Sequence, residues 1–110
     1  MTEDEMLIKT IATIDHERNF LKTFMQVLFS SDPYKFNLSM YHVEELKSAL
    51  DEMHNCLYYI IRSKNNHYTN FIIESIHLMD IDKYIEKISA FIDLCTYLIN
   101  QYQKRLTFNM

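Results

Sequence analysis

Apolar residues recur along this chain three and four positions apart, in four runs separated by polar breaks. That spacing is the period of an α-helix that buries one face. In the first run Leu7, Ile11, Ile14, Leu21, Met25 and Leu28 form the stripe, interrupted by Arg18 and broadened on one side by Phe20, Phe24 and Val27. Thr2 followed by Glu5 predicts a capping box at the start of this helix. Ser31-Asp32-Pro33 predicts its end near Ser30, because the residue before a proline is pushed out of the helical region.

The second run, Val43, Leu46, Leu50, Met53, Leu57 and Ile60, alternates three and four without exception. Asn37 or Ser39 can cap it, after a connector whose Tyr34 and Phe36 are expected to fold back onto the core. The pattern stops at Arg62-Ser63-Lys64-Asn65-Asn66, where basic residues suit a helix C-terminus and an asparagine can take the left-handed cap position. A shorter third helix is expected from about His67 to Met79, with Ile72, Ile76 and Met79 facing inwards. The last helix, capped by Asp80 or Asp82, carries Ile81, Ile85, Ile88, Ile92, Cys95, Ile99, Tyr102 and Leu106 in strict four-three alternation. Nothing over residues 67–106 breaks a helix outright, so the last two helices can also be one long helix that pairs with another chain. The expected fold is all-α, a small up-and-down helical bundle of three to four helices, with residues 1–110 as a single domain.

Composition narrows the functions. The 110 residues include no glycine and one proline, Pro33, which removes glycine-rich phosphate loops and tight glycine turns. The formal charge of −4 supplies no overall positive field for a nucleic-acid backbone, so no DNA partner is expected. The longest apolar run covers only residues 56–61, against roughly 20 residues for a membrane span, and the acidic Thr2-Glu3-Asp4-Glu5 start is unlike a signal peptide. No membrane partner is expected, and the location is read as cytoplasmic or host-intracellular. Cys56 and Cys95 stand among apolar neighbours with no paired Cys/His spacing, which reads as two small buried hydrophobes.

Two constellations could carry chemistry. Arg62-Ser63-Lys64-Asn65-Asn66-His67 resembles the short motif of the HEPN ribonucleases, all-helical proteins in which a dimer brings two such motifs together. The resemblance covers six residues; it implies that Arg62 and His67 position an RNA phosphate and assist attack by the 2′-hydroxyl. The family usually carries the motif late in the chain, whereas here some 40 residues follow it. Asp51 to His54 and Glu74 to His77 are two carboxylate-x-x-histidine steps of the kind that hold metals in four-helix bundles. Helical phase turns Asp51, Glu74 and His77 towards water, so no metal site is expected. No nucleophile motif is present and no cofactor is expected.

The remaining signal is apolar surface away from the core stripes. Tyr58 and Tyr59 lie off the stripe of the second helix, and on the last helix Ala90, Leu94 and Tyr97 line up opposite the main one, bracketed by Lys83, Lys87 and Lys104. An apolar patch with a polar rim is what a binding face looks like. Tyr58, Tyr59, Leu94 and Tyr97 are therefore the candidate partner-binding residues. The reading is a small non-catalytic helical protein acting through protein–protein interaction, as an inhibitor, adaptor or regulator, with a homodimer through the last helix as one form of that contact. The alternative is a HEPN-like dimeric ribonuclease using Arg62 and His67. Thirteen isoleucines with eight each of asparagine, lysine and tyrosine suggest an AT-rich genome, an association that fits a viral, phage or mobile-element origin.

Overall fold

A computed structural model describes residues 2–30 and 40–108. It is 91% helical, with four helices and no strand among the described residues: α1 (Glu3–Ser30), α2 (Met40–Arg62), α3 (His67–His77) and α4 (Ile81–Phe108). The expected stop at Ser31-Asp32-Pro33, the Tyr34 and Phe36 contacts and the Asn37 or Ser39 cap lie outside the described residues, as do the side chains of Val27, Leu28 and Leu106.

The capping box forms at the start of α1: the Glu5 N–H donates to Thr2 Oγ1 at 3.1 Å, and the Thr2 N–H donates to Glu5 Oε2 at 3.4 Å. Leu7, Ile11, Ile14, Leu21 and Met25 are buried. All six stripe residues of α2 are buried, joined by Ala49. On α4 the buried line is Ile81, Tyr84, Ile88, Ile92, Cys95 and Ile99, with Ile85 and Tyr102 half-buried. Tyr84 follows Ile81 by three and precedes Ile88 by four, so it satisfies the helical period as well as Ile85 does. Packing chooses between them.

α2 sits between α1 and α4, and α3 packs on α4 and α1 to close the ring. Side chains from all four helices meet in one hydrophobic cluster. Lys64 just beyond α2 pairs with Asp82 at the start of α4, while Asp51, thirteen residues back, shares a groove with Thr96, fourteen residues on. The two helices therefore run antiparallel. The molecule measures 51 × 25 × 17 Å, close along its length to the ~42 Å of a 28-residue helix. α3, with 11 residues and ~16 Å, reaches along less than half of α4.

Helices α3 and α4 are separate. Leu78, at φ 56°, takes the left-handed conformation that ends α3, and its N–H donates to the Glu74 carbonyl at 2.9 Å. Asp80 then caps α4, its Oδ1 accepting from the Lys83 N–H at 2.9 Å. No asparagine takes a left-handed cap after α2; Leu78 is the one positive-φ residue among those described. The turn after α2 closes instead through Ser63, Lys64 and Asn66 N–H bonds to carbonyls three residues back. Asn66 is extended, and its Oδ1 caps α3 by accepting from the Tyr68 N–H at 2.8 Å.

The inward face of α3 differs from the expected one. Thr69 and Ile73 are buried and His77 is half-buried, while Ile72 and Met79 only flank the core and Ile76 is exposed. Isoleucines at 72, 73 and 76 put apolar surface on adjoining faces of a short helix, so hydrophobicity alone does not fix its rotation. Contact with α1 and α4 together selects the Thr69-Ile73-His77 line.

Candidate functional site

The outer side of α4 carries the largest part of the candidate surface. Leu94 is 56% exposed and Tyr97 61%, and Ala90 is exposed beside them. Phe91 and Leu98 are half-buried against the core and connect this outer line to the buried one. Both lines belong to the same helix, which therefore has apolar character over well more than the arc needed to bury one face.

Tyr58 is exposed near the end of α2, and the Arg62 guanidinium lies over its ring at 5.6 Å from the centroid. Tyr59 is turned inwards, half-buried against the core. Tyr58 lies level with the first third of α4, set by the Lys64–Asp82 pair, ahead of Leu94 and Tyr97 along that helix. Arg62 and His67 are exposed at the two ends of the turn between α2 and α3. Arg62 therefore lies against Tyr58, and His67 opens the first turn of α3.

Sequence reasoning missed a polar cluster in the interior. Expected to face water, His77 has a side chain only 15% exposed, with Nε2 3.4 Å from Asp15 Oδ2 of α1 and its ring 4.7 Å from that of Tyr84. The Asp15 contact is close but not aligned as a hydrogen bond, and His77 Nε2, Tyr84 Oη and Thr69 Oγ1 are buried without a hydrogen-bond partner among the described residues. Burial first, and the Asp15 carboxylate second, push the Tyr84 hydroxyl well above the ordinary phenol range. Alternation of i, i+4, i+8 at Thr69, Ile73 and His77 was the available signal, masked by the isoleucines beside it.

Neither carboxylate-x-x-histidine step assembles a metal centre: among the described residues no three His, Cys, Asp or Glu side chains converge. Asp51 and His54 stay exposed and line an open groove of about 240 Å³ between α2 and α4, with Lys47, Thr96, Ile99 and Asn100. Glu74 is exposed, one turn before the half-buried His77 on α3. The two cysteines are free thiols, Cys95 buried and Cys56 half-buried. Burial pushes the Cys95 thiol up to about 11, and burial with the Glu52 and Glu17 carboxylates raises that of Cys56. Both thiols are thus poor nucleophiles near neutral pH. No described helix is long and apolar enough to cross a membrane. No protein-family model, no curated protein and no solved structure matches this chain.

Proposed function

We propose that this protein is a small non-catalytic helical bundle that works by protein–protein contact, as an inhibitor, adaptor or regulator. The observation that carries the reading is the solvent-exposed Ala90-Leu94-Tyr97 line on a helix whose opposite line already fills the core. Leaving a leucine and a tyrosine more than half in water forgoes roughly half of the about 1.5–3 kcal/mol that full burial of a large apolar side chain brings, a loss that a partner would recover. Tyrosine suits such a face because it brings large contact area with few rotatable bonds. Tyr58, braced by Arg62, supplies a second and smaller contact. A viral, phage or mobile-element chain acting inside a host cell fits this reading and the composition.

The test is the double substitution Leu94→Ser with Tyr97→Ser. Helicity and melting temperature should stay within a few degrees of the parent, while chemical cross-linking to partner protein in cell extract is lost. Collapse of the fold in the double variant, or unchanged cross-linking, refutes the reading.

A second reading rests on the exposure of both Arg62 and His67 at one tip of the bundle. It makes the protein a HEPN-like ribonuclease that acts as a homodimer. Cleavage of single-stranded RNA that disappears in His67→Ala and in Arg62→Ala supports it; cleavage that survives either change removes it.

A further inference from the structure

Lys83, Lys87, Ala90, Leu94, Tyr97, Gln101 and Lys104 follow one another at spacings of four and three, and all seven are exposed. That is the seam spacing of a coiled coil, running for about 32 Å on the side of α4 away from its core line. We propose that this second seam receives a helix of a foreign protein partner, apolar over its middle turns and acidic at both ends. The inference rests on the protein-contact reading above and adds the chemistry of the partner.

Charge is what selects the occupant. The middle of the seam is apolar, with the small Ala90 one turn before Leu94 and with the half-buried Phe91 and Leu98 along one side. Its ends are basic: Lys83 and Lys87 at one, Lys104 at the other, and none of the three has an ion-pair partner among the described residues. A second copy of this chain fits badly in either direction. Packed antiparallel about Leu94, the Lys83-Lys87 end of one seam meets the Lys104 end of its mate; packed parallel, each lysine meets its own equivalent. Like charges oppose both arrangements, whereas acidic ends on a foreign helix pair with every lysine.

A flat anionic surface is matched less well than a single helix. Glu86 and Asp93 are exposed along one edge of the seam, and a bilayer or a nucleic-acid backbone would have to cover them with the lysines. A helix one side chain wide can lie on the seam and leave that edge in water.

Two synthetic helices of about 21 residues provide the probe, each with leucine at the seam positions of its middle heptad and differing only at the end positions, glutamate in one and lysine in the other. Binding to the full chain is read by fluorescence anisotropy at low and high salt. The glutamate-ended helix should bind about tenfold tighter or better, with the gap narrowing as salt screens the charges. Lys83→Glu with Lys87→Glu and Lys104→Glu should invert the preference at unchanged helicity, and Leu94→Ser should weaken both helices. Equal binding of the two probes, a concentration-dependent dimer that Leu94→Ser dissolves, or tighter binding to phosphatidylserine vesicles than to the glutamate-ended helix would each overturn the assignment. Should neither probe bind while Leu94→Ser with Tyr97→Ser still abolishes cross-linking in extract, the acidic-helix assignment falls and the protein-contact reading stands.

Discussion

His77 of α3 lies with Nε2 3.4 Å from the Asp15 carboxylate of α1, close enough for electrostatic contact yet without hydrogen-bond alignment. The histidine is mostly buried and the aspartate is one-third exposed, so the contact is one of packing more than of charge. His77→Ala should therefore cost about 1–2 kcal/mol through loss of its contact with the Tyr84 ring, while Asp15→Asn should change stability by less than about 1 kcal/mol. Chemical denaturation of the two variants measures both. A larger loss in Asp15→Asn would mean that charge, not packing, fixes α3 in place.

Two buried hydroxyls are stabilising targets. Tyr84 Oη and Thr69 Oγ1 are buried with no hydrogen-bond partner among the described residues, and each carries a desolvation cost of about 1–3 kcal/mol. Tyr84→Phe and Thr69→Val keep the shape and remove the polar atom. Both should raise the denaturation midpoint without changing its slope. A fall in either variant would show that its hydroxyl is satisfied in solution by an ordered water.

Leu78 holds a left-handed backbone conformation at φ 56° and is 88% exposed, so its side chain adds strain at the end of α3 and little packing. A non-glycine residue pays about 1–2 kcal/mol there, partly offset by the greater freedom of glycine in the unfolded chain. Leu78→Gly should stabilise the protein by about 0.5–1 kcal/mol and reduce its tendency to associate at high concentration. Thermal melts and light scattering read the two effects; destabilisation would place the Leu78 side chain in a contact that holds the fold.

The buried thiol gives a pH dependence with a definite sign. Cys95 is held neutral in the fold, its pKa pushed from 9.0 up to about 11 by burial, so the unfolded chain loses the proton first. The contribution of Cys95 to stability is fully present below pH 9 and is lost as pH rises through 9 towards 11. Cys95→Ala should flatten the alkaline fall measured against the parent. At pH 8 a thiol reagent should modify Cys56 ahead of Cys95, whose reaction waits on opening of the helices. Equal labelling rates would place Cys95 at the surface.

Much of this architecture is legible residue by residue. The six-residue stripe of α2 is buried in full, and the Thr2-Glu5 capping box forms as its spacing demands, because both depend on helical period and on groups within one turn of each other. Leu94 and Tyr97 are exposed where their phase on α4 puts them. Tyr59 reads as surface and lies against the core, since α2 has helices on two sides and its buried arc is wider than one stripe.

The sequence by itself determined the all-helical class, the starts and ends of the helical runs before residue 67, and the long stripes of α1, α2 and α4, since each rests on local periodicity and on end signals. Tertiary structure alone decided the rotation of α3, the choice of Tyr84 over Ile85 for the core, and the meeting of Asp15 with His77. Those depend on surfaces from different helices, Asp15 and His77 being more than 60 residues apart in the chain, and α3 is too short and too evenly apolar for its own pattern to fix which face it buries. The break between α3 and α4 belongs to the same class. Without a glycine to mark it, only the packing of α3 across α4 and α1 makes Leu78 take the turn.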